Sequence, residues 1–251
     1  MAKETSWGAV ASWYDTLLSD TDSYQSQVIL PNLMRMLALV AGKRVLDVGC
    51  GQGFFSRAMA QKGAIVVGVD ISAELIALAK KDAPTGVEFI VSPAEKMDMV
   101  ASGTFDTAIC VLALQNMRDG SVALGNIARA LKTGGTCTIV LNHPCFRVPK
   151  RSAWGFDEGA GVQYRRIDGY LSEACENIVM EPSKGSESRE TVSFHRPLQV
   201  YGKQLGKAGL YIRRIEEWES HKESQSGPRK VAEDTARKEI PLFLALECVK
   251  V

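Results

Sequence analysis

The sequence predicts an α/β fold: a doubly wound, mostly parallel, seven-stranded sheet with helices on both faces and an insertion after the fifth strand. Three observations carry this. Apolar runs of strand length alternate with amphipathic runs of helical spacing from Val28 to Leu141. The apolar runs are uniformly apolar, as strands buried on both faces are. Two further segments of strand length near the end of the chain supply the sixth and seventh strands.

The first strand is expected over Arg44 to Val48, the second over Ile65 to Asp70 and the third over Val87 to Val91. The fourth is expected over Asp106 to Leu112 and the fifth over Thr136 to Asn142. Phe54 to Lys62, Ala73 to Asp82 and Ser121 to Leu131 carry apolar residues at helical spacing between them. Ser72 is a candidate cap for the second of these helices, and Gly134-Gly135 a candidate turn ending the third. From Cys145 to Arg196, turn residues and aromatics replace the regular alternation, which marks an insertion. It holds six of the eighteen aromatics between Phe146 and Arg196, and Arg147, Lys150, Arg151, Arg165 and Arg166 cluster toward its start. Pro197 suits the first position of a helix over Leu198 to Ala208, stopped by Gly209. Strands over Tyr211 to Trp218 and Leu242 to Val249 close the chain around a polar stretch containing Gly227-Pro228.

At 251 residues the chain fits one domain with an elaboration. The formal net charge of +1 argues against a partner held through many phosphates, so nucleic acid is not the expected partner. The six cysteines form no Cys-x-x-Cys pair and no metal-like spacing with His143, His195 or His221. No metal is expected, and the thiols read as reduced and mostly buried. No membrane-spanning run or basic-then-apolar leader is visible, so a cytoplasmic location is the expectation.

The chemistry is concentrated in Val45 to Ser56, where a buried strand runs directly into Gly49, Gly51 and Gly53 and then into a helix. Such a turn lets a ligand approach the backbone and meet free N–H groups at the helix start. A nicotinamide-dinucleotide fingerprint would need a third glycine where Phe54 stands, so that reading fails on spacing. Asp70 ends the second strand, where a carboxylate at the sheet edge can accept both hydroxyls of a ribose.

Asp47-x-Gly49-Cys50-Gly51-x-Gly53, Val69-Asp70-Ile71-Ser72, Ala94-Glu95, Phe105-Asp106 and Leu131-Lys132-x-Gly134-Gly135 together resemble the successive motifs of class I, Rossmann-like, S-adenosylmethionine-dependent methyltransferases. The group most resembled is the ubiquinone/menaquinone-type small-molecule methyltransferases, over about Tyr14 to the carboxyl terminus. The resemblance implies S-adenosyl-L-methionine as cofactor and S-adenosyl-L-homocysteine as product. It implies that Gly49, Cys50, Gly51 and Gly53 contact the methionine portion, with Asp47 orienting the loop or meeting the ammonium. Asp70 would hold the ribose, Ile71 would pack on the adenine, Ala94 and Glu95 would reach its edge, and Leu112 would line the path to the acceptor. The family often has Asp where Pro93 stands, so that contact is absent or passes to Ser92 or Glu95. Trp13-Tyr14-Asp15 and Tyr24 resemble the segment that closes over the cofactor, where an aromatic such as Tyr14 can meet the sulfonium. The implied organisation is an amino-terminal helical cap (1–40), a cofactor-binding core (41–145), a substrate-binding lid (146–196) and a carboxyl-terminal completion of the core (197–251).

Transfer from a sulfonium needs alignment first, and a base where the acceptor carries a proton. His143, after the fifth strand, and His195, where the insertion returns to the core, are the candidate bases, each with a structural alternative. Tyr24, Tyr164, Arg165, Arg166 and Arg196 are the candidate acceptor contacts, because arginines hold carboxylates and phosphates through paired hydrogen bonds. The expected acceptor is a small molecule, aromatic or acidic, and the expected assembly a monomer or homodimer. RNA is a second acceptor class, with the basic start of the insertion as its footprint, and a non-catalytic cofactor-binding regulator is a third reading.

Overall fold

The computed structural model describes residues 21–39, 41–179 and 190–251. Its strands in chain order are β1 Arg44–Val48, β2 Ile65–Asp70, β3 Val87–Val91, β4 Phe105–Val111, β5 Leu131–Asn142, β6 Ser152–Asp157, β7 Val162–Ile167, β8 Ala174–Val179, β9 Glu190–His195, β10 Leu210–Trp218 and β11 Phe243–Lys250. A π-helical turn, Gln25–Ile29, leads into α1, Leu30–Leu37. The other helices are α2 Phe54–Gln61, α3 Ala73–Lys81, α4 Gly120–Ala130, α5 Leu198–Lys207 and α6 Lys230–Glu239.

Seven strands form one sheet in the order β10-β11-β5-β4-β1-β2-β3, with β11 antiparallel to both neighbours and the rest parallel. The predicted α/β, Rossmann-like class is the observed one. Alternate residues feed two separate cores. Leu46, Val48, Ala108, Cys110, Ile139 and Leu141 pack with α4 and α5 on one face. Val45, Ile109, Val140 and Ala245 pack with α1 and α2 on the other. A strand that buries both faces has no polar positions to spare, which is why these runs read as uniformly apolar.

The first three strands match their expected bounds, and Ser72 does cap α3, its Oγ accepting the Leu75 N–H at 3.1 Å. Three local expectations are corrected. Helix α4 stops at Ala130, because Leu131 is extended and fully buried opposite Phe105 in the ladder; Gly134-Gly135 therefore lie within β5. Pro197 caps α5 from outside, with ψ 156°, so the helix starts at Leu198. The polar stretch before the last strand contains α6, which buries only Ala236 and so shows no apolar stripe.

The described residues of the insertion hold two antiparallel strand pairs, β6–β7 and β8–β9. Cys50, Cys110, Cys137 and Cys248 are buried free thiols, Cys145 is half-buried and Cys175 exposed. Among the described residues, no helix is long and apolar enough to cross a membrane.

Candidate active site

The sheet order reverses at β1: β2 and β3 extend to one side, β4 and β5 to the other. Loops leaving the carboxyl ends of β1 and β4 diverge there and open a crevice, the place where open α/β sheets bind ligands. The loop after β1 folds toward β2, with the Gly49 and Cys50 N–H groups donating to the Val69 carbonyl at 2.8 and 3.0 Å. Gly49 has φ +74°, and a Cβ there would stand 2.4 Å from Ala113 Cβ in the loop after β4. The two loops thus approach more closely than any side chain at Gly49 allows. Gly53, at φ +83°, would drive a Cβ to within 2.6 Å of the Phe89 ring.

A Gly49→Ala variant is expected to lower the thermal midpoint through both effects, the left-handed backbone alone costing about 1–2 kcal/mol. Adding Ala113→Gly removes the clash and not the backbone cost, so it should restore part of the loss. Thermal unfolding of the two single variants and the double variant checks this; an additive result would show that the loops do not touch.

Asp70 sits at the rim of this crevice. Its Oδ2 accepts the Gly51 N–H and its Oδ1 the Ser72 N–H, each at 2.9 Å. Burial raises its pKa, while the N–H groups of Ser72, Gly51 and Ile71 oppose the rise. An ionised carboxylate offers about four acceptor sites, so capacity for a ligand hydroxyl remains. Asp47, on β1, is 1% exposed and accepts the Ser56 hydroxyl at 2.6 Å. Burial pushes it up to about 7, Ser56 opposing and the neighbouring Asp70 charge adding to the rise.

Ile71 follows Asp70 with its side chain 46% exposed, an apolar surface at the mouth of the site. Ala94 is buried in a short 3-10 turn, Ala94–Lys96, with Glu95 half-exposed beside it. Ser92 donates to the Lys96 carbonyl at 2.9 Å and so holds that turn. Leu112 takes a left-handed conformation, φ +53°, unusual for a bulky residue. Its N–H donates to Val140 O at 2.8 Å and its carbonyl accepts from Asn116 Nδ2 at 3.1 Å. Such strain costs about 1–3 kcal/mol and concentrates at functional sites.

Residues 46–139, which contain this whole arrangement, match the family model of a methyltransferase domain. Over those residues the chain is similar to a methyltransferase domain. The Ubiquinone biosynthesis O-methyltransferase of Xanthomonas oryzae pv. oryzae is 36% identical over 99 residues, 38% of this chain and 41% of that protein. The enzyme of the same name from Pseudomonas aeruginosa is 32% identical over 126 residues, 49% of this chain and 54% of that one. The chain thus spans about half, or less, of the length of these curated relatives. Over nearly its whole length it is similar to an S-adenosylmethionine dependent methyltransferase structure from Mesorhizobium loti. There the TM-score is 0.70 at 28% identity, covering 88% of this chain and 96% of that one.

The cofactor that this domain and fold imply is S-adenosylmethionine. The chemistry of the methyltransferase domain's crevice fits it: a backbone cradle at Gly49, a buried acid with acceptor capacity at Asp70, and an apolar ledge at Ile71. Trp13, Tyr14 and Asp15 lie outside the described residues.

The other predicted site residues divide. His143 is 2% exposed with both ring nitrogens engaged: Nδ1 accepts the Cys145 N–H at 3.2 Å, and Nε2 lies 2.7 Å from Glu217 Oε1. Burial lowers its pKa and Glu217 opposes. In this network Nε2 carries the proton, and no lone pair is left over for a substrate. His195 Nε2 faces the Tyr170 carbonyl at 2.7 Å, so Nε2 must donate and Nδ1 is the acceptor nitrogen when the ring is neutral. Strand β9 packs beside the 3-10 turn Leu114–Asn116 that follows β4, which brings His195 to the crevice side of the insertion.

Arg196 is 5% exposed and donates to the Met117 and Arg118 carbonyls at 2.9 and 2.8 Å, clamping β9 to the loop after β4. Tyr164, Arg165 and Arg166 are not brought together, because neighbours on a strand face opposite ways. Tyr164 and Arg166 are exposed, and Arg166 pairs with Asp168 at 2.9 Å. Arg165 turns inward, donating to Phe146 O at 3.0 Å and Ser152 Oγ at 2.8 Å. Tyr24 meets Phe243 and His221 edge-on, and its hydroxyl lies 3.1 Å from Ser220 Oγ.

Tyr170 went unsingled in the sequence. Its hydroxyl accepts the Leu198 N–H at 2.9 Å and contacts Cys145 Sγ at 3.4 Å, while its carbonyl holds His195. It joins both ends of the insertion, a role that only the fold reveals.

Proposed function

We propose that the protein is an S-adenosylmethionine-dependent methyltransferase acting on an oxygen of a small-molecule acceptor. The observation that carries this is the crevice between the loops after β1 and β4. There, Gly49 is pressed against Ala113 and the buried Asp70 carboxylate closes the turn through the Gly51 N–H. The names of the curated relatives support oxygen as the accepting atom and a small acceptor.

The cofactor, when bound, supplies a methyl group already activated on a sulfonium. Asp70 accepts the ribose hydroxyls, the Gly49–Gly53 backbone lies along the methionine portion, Asp47 orients that loop toward the ammonium, and Ile71 covers the adenine. Ala94 and Glu95 border the same base, and Leu112 lines the path from the cofactor to the acceptor. The described strands of the insertion, β6 to β9, cover the acceptor and exclude water. His195 Nδ1 would take the proton of the acceptor hydroxyl as the methyl–sulfur bond breaks and the methyl–oxygen bond forms, with Nε2 held on the Tyr170 carbonyl.

The test is incubation of the purified chain with S-adenosylmethionine and a panel of phenols and hydroxy acids, with S-adenosylhomocysteine and methyl ether product followed by mass spectrometry. Acceptor-dependent release of both supports the proposal. Binding of the cofactor with no transfer to any acceptor would favour a cofactor-binding regulator.

A further inference from the structure

Arg147, Arg165 and Arg237 form a cluster that the mechanism above leaves unused. Arg147 starts the insertion just beyond β5, its N–H donating to the His143 carbonyl at 2.8 Å. Its guanidinium lies over the Trp154 ring at 5.6 Å, and that of Arg165 lies over the same ring at 5.1 Å. Arg237 belongs to α6, which packs on β7, and its Nε donates to Ser224 Oγ at 3.1 Å. Among the described residues, none of the three is paired with a carboxylate, although ion pairs stud the surrounding surface. Arg147 is the extreme case: its Nε is buried with no hydrogen-bond partner.

Gathering three permanently charged guanidiniums without a counter-charge destabilises the fold, and leaving a buried donor unmade costs more. Arg165 is explained by its bonds to Phe146 O and Ser152 Oγ, which hold it rigid. Arg147 has no such account. Burial, then the neighbouring Arg165, drive its pKa down to about 10, and the one favourable neighbour is the Tyr24 hydroxyl; Arg237 pushes the same way as Arg165. A planar donor fork left open beside an aromatic ring is what a carboxylate or phosphate on an aromatic ligand needs.

Placement decides which ligand. Arg147 stands past the carboxyl end of β5, at the same edge of the sheet as the loop after β1. Two strand spacings, about 10 Å, separate β5 from β1. That gap is on the scale of one substituted aromatic ring. We infer that Arg147, braced by Arg165, Arg237 and Trp154, forms an oxyanion subsite that binds the acid group of an anionic aromatic methyl acceptor. This rests on the methyl-transfer reading for the identity of the ligand as acceptor, and on the cluster alone for its charge.

The test titrates benzoate, phenyl phosphate, benzamide and inorganic phosphate into the wild type by calorimetry, with and without saturating S-adenosylhomocysteine. Benzoate or phenyl phosphate is expected to bind at least tenfold more tightly than benzamide, the better of the two naming the acid. Arg147→Gln should abolish the preference while S-adenosylhomocysteine binds within twofold of wild type. Arg237→Gln, on the surface helix α6 that buries only Ala236, should weaken the anion severalfold and serves if the first variant misfolds. Equal binding of benzamide, an unchanged preference in either variant, or inorganic phosphate binding as tightly as phenyl phosphate would overturn the inference. Failure of the wild type to bind S-adenosylhomocysteine would sink the methyl-transfer reading instead, and leave the anion preference to be read on its own.

Discussion

Replacing Asp70 with alanine is expected to weaken S-adenosylhomocysteine binding at least a hundredfold, measured by calorimetry. Two losses combine. A carboxylate hydrogen bond to a ligand hydroxyl contributes about 1.5–3 kcal/mol, and Asp70 is proposed to make two. The same side chain accepts the Gly51 and Ser72 N–H groups, so its removal also frees the glycine loop that forms the cradle. Stability should move much less, because burial opposes the charge that the variant removes. The loss is therefore one of affinity in a folded chain, verified by an unchanged circular dichroism spectrum. Acidification should imitate the variant: with its pKa raised, Asp70 takes up a proton above the ordinary aspartate range, and affinity falls as it does. Wild-type affinity in the variant would remove Asp70 from the cofactor site.

The parts of this fold legible in the sequence are those where one physical constraint dominates. Strands β1 and β2 are buried on both faces along nearly their whole length, so their apolar runs mark them out, and the edge strand β3, where Glu88 and Val91 are exposed, is marked by its β-branched residues around the buried Phe89. The glycine loop was legible because Gly49 and Gly53 occupy backbone conformations closed to other residues. Helix α6 was not, because it lies on the surface and buries only Ala236; no periodicity distinguishes such a helix from a loop. That omission hid Arg237, and with it the arginine cluster.

The acceptor side was less legible for a related reason. Reading Tyr164, Arg165 and Arg166 as one group ignores the alternation of a strand, and only the hairpin register shows that Arg165 shares Trp154 with Arg147. His143 and His195 are chemically alike in sequence, and their hydrogen-bond partners separate them. Glu217 and the Cys145 N–H occupy both nitrogens of one, and the Tyr170 carbonyl fixes the tautomer of the other.

Asp47 yields the second large effect, with opposite signs for stability and binding. Its folded pKa of about 7 lies above the ordinary 3.8, so the folded chain holds this proton more tightly than the unfolded one. Folding is then unpenalised below pH 4, loses stability as pH rises toward 7, and carries the full penalty above it. Three pKa units correspond to on the order of 4 kcal/mol. Asp47→Asn removes the charge and keeps an acceptor for the Ser56 hydroxyl, at a cost of about 1–3 kcal/mol for the buried amide donors. The variant should therefore melt several degrees higher than wild type at pH 8, and no higher, or lower, at pH 4.5. A melting-temperature difference that does not change between those pH values would mean that Asp47 titrates normally. Over the same series S-adenosylhomocysteine should bind about tenfold more weakly to the variant, since the carboxylate proposed to orient the glycine loop toward the ligand ammonium is gone. A stabilising change that costs affinity is what a functional carboxylate predicts, because a merely structural one would be replaced by Asn with no effect on the ligand.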